Sequence, residues 1–408
     1  MYTHLSLATL IACIFALSVS AQQPKPGSPP PLKLPDGVTP EQLDDPKEAK
    51  RVADLIDKQY PAPQPEVVKM LVDILRGSKL DGSDGWFGPA QSRYTFDWLA
   101  KRNGVDPQDK AIPKDKFRGD VALFERLDRN GDGKIAPDDF DWSDKNPYVL
   151  QANLYNRLFR RIDTSGDGKL TREELDAFFK MVAKDKDFFT ADDLRQVMIP
   201  RGPAGFGPGD GPSIPVLVRG VFSGEVGSMY EGPKLGETAP NFILKTPDGK
   251  ETFSLSKLIG PKPVVLIFGN FTCGPFRGLY PDIEAIYQRH KDDATFLMVY
   301  VREAHPSDGW IMESNTRVGV KVTQPKTLDE RVKVCGQFCQ KLKPTIPVVV
   351  DEIEDTAGNL YSGMPGRYYV IDPHGKVAYK SGRGPFGFKT GELEQAVVMG
   401  IIECAPEK

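Results

Sequence analysis

Apolar positions in the first half of the chain recur with a helical period. Val52, Leu55 and Ile56 share one face, Val67, Val68, Leu71 and Leu75 another, and Leu154, Leu158 and Phe159 a third, which is the spacing of helices that bury one stripe. The pattern predicts a mostly α-helical domain over residues 40–200. It stops at Arg201–Ser213 (RGPAGFGPGDGPS), a Gly/Pro run that reads as the start of a linker reaching residue 235. From about residue 236 short β-rich runs take over: VVLIF (264–268), TFLMVYV (295–301), PVVVD (347–351), RYYVID (367–372) and VAYK (377–380). Helical stretches separate them at 276–290, 328–342 and 390–402. The order β-α-β-α-β-β-β-α predicts an α/β domain over 236–402, its last strands joined as a hairpin through Asp372-Pro373-His374-Gly375.

The N-terminal segment has a different character. Residues 5–19 are an apolar run of 15, short for a membrane span, followed by Val19-Ser20-Ala21. This reads as a secretory signal over residues 1–21, with a lipoprotein box at Leu10-Ile11-Ala12-Cys13 and a retained anchor as alternatives. The mature chain is then expected to lack a transmembrane span and to be exported, secreted or held in the cell envelope. A Pro-rich tether covers residues 22–39. With 53 basic against 56 acidic residues the net charge is −3, which removes the basic footprint that nucleic-acid binding needs. Four cysteines remain after cleavage, Cys273, Cys335, Cys339 and Cys404, so disulfides are permitted by compartment but can staple only the C-terminal third.

Two segments carry a metal signature. Asp128 to Asp139 (DRNGDGKIAPDD) and Asp163 to Glu174 (DTSGDGKLTREE) fit the twelve-position EF-hand calcium loop. Hard oxygen ligands come from Asp128, Asn130 and Asp132, and from Asp163, Ser165 and Asp167, with Lys134 and Lys169 contributing backbone carbonyls at position 7. Glu174 closes the second loop; the shorter Asp139 closes the first, which is therefore expected to be weaker. Ile135 and Leu170 at position 8 predict that the two hands pair through a short β contact, within a unit spanning about 116–182. Val105 to Phe117 has the spacing of a further hand without its acidic ligands, Lys116 standing at the closing position. Two Ca2+ sites are expected, structural rather than sensory, because calcium outside the cytosol keeps weak sites filled.

The other chemical signal is a thiol. Strand 264–268 runs into Gly269-Asn270-Phe271-Thr272-Cys273-Gly274-Pro275-Phe276 and then a helix. A cysteine between strand end and helix N-terminus meets backbone N–H groups and the helix dipole, both of which favour thiolate. The Cys-Gly-Pro-Phe string resembles a thioredoxin Cys-Gly-Pro-Cys whose second cysteine has become Phe276, so an external thiol, or Cys335 or Cys339, must resolve an oxidised Cys273. Pro347 is a candidate for a cis proline beside the site. Cys335 and Cys339, four apart on one helical face, are also readable as small buried hydrophobes.

The thiol string, together with Val299-Tyr300-Val301-Arg302-Glu303-Ala304-His305-Pro306-Ser307-Asp308-Gly309-Trp310, Pro347–Asp351 and Leu360–Ile371, closely resembles the iodothyronine deiodinase family over residues 236–402. The resemblance implies a thioredoxin-like fold in which Cys273 takes the position of a selenocysteine that removes iodine reductively from an aromatic ring. It implies Cys273 as nucleophile, Thr272 as its hydroxyl neighbour, Glu303 and His305 as substrate-binding or proton-relay groups, and Arg367 and Trp310 as substrate contacts, Arg367 for an anionic group. A small-molecule substrate and a reducing thiol or thioredoxin-like protein are the implied partners. Phe271 stands where many members have a second cysteine, and Gln324 and Pro325 occupy the region of a histidine that many carry.

The chain is thus expected to be multi-domain, an α-helical EF-hand domain followed by an α/β thioredoxin-like domain, and to work as a thiol-dependent oxidoreductase of thyroxine 5'-deiodinase type. Peroxide reduction through a Cys273 sulfenate is the alternative on the same scaffold, although Asn270 replaces the Thr of the peroxiredoxin Thr-x-x-Cys spacing. A non-enzymatic calcium-binding scaffold is the alternative of a different class.

Overall fold

The computed structural model describes residues 29–77, 88–143, 145–198, 212–384, 387 and 389–406. The expected signal at 1–21 and most of the Gly/Pro run at 201–213 lie outside the described residues. Helices α1 (Pro46–Gln59), α2 (Glu66–Leu75), α3 (Phe96–Arg102), α4 (Val121–Leu127), α5 (Pro147–Ile162), α6 (Arg172–Ala183), α7 (Ala191–Met198) and α8 (Ile214–Ser223) fill the first half. The second half adds α9 (Leu255–Leu258), α10 (Gly274–His290), α11 (Glu313–Arg317), α12 (Leu328–Leu342), α13 (Thr356–Leu360) and α14 (Thr390–Cys404). Strands are β1 (Gln91–Ser92), β2 (Ile112–Pro113), β3 (Lys134–Ile135), β4 (Ile243–Lys245), β5 (Thr252–Ser254), β6 (Val264–Gly269), β7 (Thr295–Tyr300), β8 (Val348–Val350), β9 (Arg367–Ile371) and β10 (Val377–Lys380).

One sheet of order β1-β10-β9-β6-β7-β8-β4-β5 organises the molecule. β6 and β7 are parallel and joined through α10, whereas β9 and β10 form an antiparallel hairpin beside β6 and lead to α14. This is the arrangement anticipated for a thioredoxin-like domain. Every residue of β6 is buried, as an apolar strand covered on both faces must be. All five anticipated strands are present; α13 lies between the third and fourth, and β1, β4 and β5 extend the edges.

The anticipated boundaries do not coincide with the packing. Within the span read as a linker, α8 buries Leu217, Val218 and Val221 against Val52 and Ile56 of α1 and Val67, Val68 and Leu71 of α2. Its apolar residues recur at helical spacing, but the Gly/Pro run before them hides the period. The region 40–200 is likewise not one unit. Tyr94, Phe96, Leu99, Ile112, Phe124, Leu127 and Ile135 belong to the same apolar core as Val265, Ile283 and Val397 of the α/β part. Ile162, Phe178 and Val182 form a separate small cluster with Leu158, Leu170 and Leu194. Among the described residues no helix is long and apolar enough to cross a membrane.

Candidate functional site

Strand β6 ends at Gly269, where a Cβ would stand 2.2 Å from the Phe276 ring, so only glycine lets the first turn of α10 fold back onto the strand end. The next side chain, Asn270, ties the site together. Its Oδ1 accepts from Cys273 N at 3.0 Å, Thr272 Oγ1 at 3.3 Å and Ala304 N at 3.3 Å, and its Nδ2 donates to Pro365 O at 2.8 Å. Three chain segments are thus fixed by one amide. The cis peptide bonds of the described residues are Ala62–Pro63 and Met364–Pro365, so the cis proline beside the thiol is Pro365 rather than Pro347. Pro365 precedes the antiparallel strand β9, the one directly hydrogen-bonded to β6, whereas Pro347 precedes β8, one strand further away.

Cys273 is the N-cap of α10 and fully buried. Burial pushes its thiol up to about 11, opposed by the Phe276 backbone N–H and the Arg277 charge. The expected preference for thiolate is overturned: the N–H at the helix start lowers the thiol as anticipated, but desolvation outweighs it. Thr272 is held on three sides: its N donates to Glu303 Oε2 at 2.8 Å, its Oγ1 accepts from His305 N at 3.0 Å, and its carbonyl accepts from Asn315 Nδ2 at 2.7 Å. The hydroxyl is spent on holding the 303–305 segment.

Glu303 is fully buried, and its second oxygen accepts from Tyr300 Oη. Burial raises its carboxyl, partly offset by the hydrogen bonds from Tyr300 and Thr272. Gln324, in the region of the missing histidine, clamps the Glu303 backbone: Nε2 donates to Glu303 O at 2.9 Å and Oε1 accepts from Glu303 N at 3.0 Å. His305 meets Trp310 edge to face, ring centroids 4.5 Å apart, and its Nδ1 lies 3.3 Å from Trp310 O. Trp310 also packs against the α1–α2–α8 cluster, and Glu225 Oε2 accepts its backbone N–H at 3.1 Å. Cys273, Thr272, Glu303, His305 and Trp310 are therefore brought together. Asn270, Asn315, Arg277 and Gln324 were not anticipated as site residues; the only signal was their nearness in sequence to the motifs.

Arg367 is placed otherwise. Its guanidinium is spent on Glu66 Oε2 at 3.0 Å, Ser381 O at 3.0 Å and Glu231 O at 3.3 Å, so it offers nothing to a substrate anion in this state. The carboxylate that fills it comes from α2, about three hundred residues away, which no local pattern announces. Cys335 and Cys339 share a hydrogen bond on α12 that pushes Cys335 well above the ordinary thiol range and lowers Cys339. All four described cysteines are free thiols. The Phe338 ring, between the two in sequence, packs on Phe271, Phe276 and Tyr300 at centroid distances of 6.3, 6.4 and 5.6 Å, which places this helix against the thiol loop.

The calcium-type loops fold as their sequences direct, but they do not pair with each other. β3, carrying Ile135, pairs with β2 of the ligand-poor segment, Ile112 opposite Ile135, while Leu170 packs among α5, α6 and α7. Apolar spacing fits either partner, and chain proximity decides. In both loops the first aspartate accepts from the position-six glycine, Gly133 N to Asp128 Oδ2 and Gly168 N to Asp163 Oδ2, each at 2.9 Å. Glu174 accepts from Ser165 N at 2.9 Å and Thr171 N at 3.0 Å. Asp139 is buried with its two oxygens on Arg129 N and Ala136 N at 2.9 and 2.8 Å, and Lys134 Nζ lies 3.6 Å from Asp132. Among the described residues no three acidic, His or Cys side chains converge as a metal cage. The donor chemistry, oxygen throughout, fits calcium in the second loop better than in the first. That second loop also touches the thiol helix: a Cβ on Gly168 would lie 2.5 Å from Gly278 O and 2.7 Å from Pro281.

Comparison with known proteins agrees with this layout. The family model for iodothyronine deiodinase matches residues 216–398, beginning inside α8, and an EF-hand model matches 121–141 and 156–179. Thyroxine 5-deiodinase of Sus scrofa is 31% identical over 177 residues, covering 43% of this chain and 56% of that protein. The Gallus gallus protein of the same name is 30% identical over 177 residues, covering 43% of this chain and 67% of that one. The chain thus spans just over half the length of the first of these curated relatives. Among solved structures, a thiol:disulfide interchange protein of the thioredoxin family from Chlorobium tepidum aligns at 19% identity and TM-score 0.30, covering 42% of this chain and 99% of that one. The thioredoxin domain of a thiol-disulfide oxidoreductase from Bacteroides vulgatus aligns at 21% identity and TM-score 0.27, covering 38% of this chain and 91% of that one. With its thiol loop, its Glu-Ala-His-Pro-Ser-Asp-Gly-Trp segment and these relatives, the chain belongs to the iodothyronine deiodinase family, joined here to EF-hand segments.

Proposed function

We propose that this chain is an exported, calcium-binding thiol oxidoreductase that removes iodine reductively from an aromatic ring, with Cys273 as nucleophile. The observation that supports it best is the convergence of Cys273, Thr272, Glu303 and His305 at the end of β6, each tied to the next by hydrogen bonds or shared partners. Deprotonated Cys273 attacks the iodine; an S–I bond forms as the C–I bond breaks. The ring carbon keeps the C–I electron pair and takes a proton from His305, so the ring is reduced and the sulfur oxidised. Two equivalents of an external thiol then return the sulfur to thiol, releasing iodide, a proton and a disulfide.

Glu303 acts by position, since both its oxygens accept hydrogen bonds that fix Thr272 and Tyr300. Calcium would be held by Asp163, Ser165, Asp167, the Lys169 carbonyl and Glu174, cross-linking the loop that abuts α10. The test is iodide release from thyroxine by the mature chain with calcium and excess dithiothreitol, comparing parent and Cys273→Ser. Release that disappears in the variant is expected. Release that persists overturns Cys273 as nucleophile, and no release from the parent, with dimedone trapping a sulfenate at Cys273 after peroxide, transfers the assignment to peroxide reduction.

A further inference from the structure

Among the described residues, arginine side chains buried to about 2% exposure have anions, with one exception. Arg331 pairs with Asp355 at 2.7 Å, and Arg367 and Arg383 with Glu66 at 3.0 and 2.9 Å. Arg277 is as deeply buried, and no carboxylate of the described residues lies within ion-pairing distance of it. Its Nη1 donates to Phe271 O, its Nη2 to Asn315 Oδ1 at 2.8 Å, and its Nε has no partner. A guanidinium kept this way has given up its hydration without gaining a counter-ion, which is costly.

Placement supplies the missing partner. Arg277 lies one turn along α10 from Cys273, its N–H donating to the Cys273 carbonyl at 3.1 Å. Directly and through Asn315, its head is tied to the two residues that precede Cys273, because Phe271 O accepts from it and Asn315 Nδ2 donates on to Thr272 O. We propose that Arg277 is a positioning residue whose unpaired buried charge is reserved for the negative charge that develops on the Cys273 sulfur. This rests on the reading of Cys273 as the reactive thiol, though not on which substrate it attacks. The electrostatic neighbours of the pair agree: Arg277 lowers the Cys273 thiol against burial, while Glu303 raises it. The other groups facing this pair are Tyr300 at the end of β7, Tyr368 on β9 and Lys341 on α12.

The test needs no halogenated substrate. The full-length mature chain, with calcium, is alkylated with iodoacetamide across a pH series, and each cysteine is followed by peptide mass mapping in the parent, Arg277→Gln, Arg277→Met and Arg277→Lys. Both neutral variants are expected to move the Cys273 midpoint upward by about one pH unit or more, slowing its alkylation near about pH 8 by about tenfold. Lys should restore most of the shift, and Cys339 in the same samples should be unchanged. A merely loosened fold hydrates Cys273, which raises its plateau rate and moves its midpoint down rather than up. Cys273 profiles with the same midpoint in parent and neutral variants, or a Lys variant no better than Gln, overturn the proposal; if one neutral variant fails to fold, the other carries the comparison. Loss of iodide release in the parent would remove the dehalogenase reading while leaving this result interpretable.

Discussion

Glu66 is the side chain whose loss should cost the fold most. Its carboxylate faces Arg367, Lys380 and Arg383 at 3.0, 3.0 and 2.9 Å, and its own side chain is 27% exposed against 2–3% for the three cations. Burial opposes its ionisation, but the three charges hold it well below the ordinary carboxylate range. Glu66→Gln keeps the shape and leaves three buried cations without their shared carboxylate. Removing one member of a buried ion pair costs about 3–5 kcal/mol, and this one serves three partners, so the upper half of that range is expected at neutral pH.

The pH dependence identifies the cause. Glu66 is depressed in the folded state, so its contribution is complete above the unfolded value of about 4.3 and is lost as pH falls toward the folded value. Lys380 is lowered to about 8, by burial first and by repulsion from Arg367 next. Unfolded Lys380 therefore holds its proton to higher pH, and stability rises between about pH 8 and about 10. In Glu66→Gln this rise should begin at lower pH, because Lys380 has also lost its attraction, and the deficit should narrow in alkali. Urea unfolding of both chains at several pH values measures it. A deficit below about 1 kcal/mol at neutral pH, or one independent of pH, would refute the reasoning.

Two further outcomes concern the calcium-type loops. Gly168→Ala places a Cβ at φ +77 against Gly278 O and Pro281; the left-handed backbone alone costs about 1–2 kcal/mol. A thermal midpoint equal to that of the parent would contradict the contact. Glu174→Gln should weaken calcium binding on the order of tenfold, and Asp139→Asn much less, since both carboxylates accept from two backbone N–H groups but only the longer Glu174 can close its loop bidentately. Calorimetric titration of the two variants decides this, and equal effects would count against the ranking.

What the sequence disclosed and what it concealed divide along physical lines. The strands of the sheet centre and the position of Cys273 at a strand end were legible because long apolar runs and the turn that follows them are local signals. Helix α8 was hidden by the glycines and prolines before it, and β1 is a strand of two residues with no period to read. The partner of Ile135 was misjudged because position 8 of one hand suits any apolar strand of the right length. Glu66 on Arg367 and the unpaired charge of Arg277 are products of tertiary placement, and no spacing rule reaches them.

The short strand β1 has a practical meaning. Gln91 and Ser92 pair with Lys380 and Tyr379, so residues far upstream of the matched family region close one margin of the main sheet. A chain shortened to residues 216–398 would present the bare backbone of β10, beside the apolar side chains of Ala378 and Tyr379, as a template for other molecules. Its low solubility would follow from that exposed sheet margin together with the loss of Glu66 from Arg367, Lys380 and Arg383, and restoring both α2 and residues 88–143 is the remedy the architecture indicates.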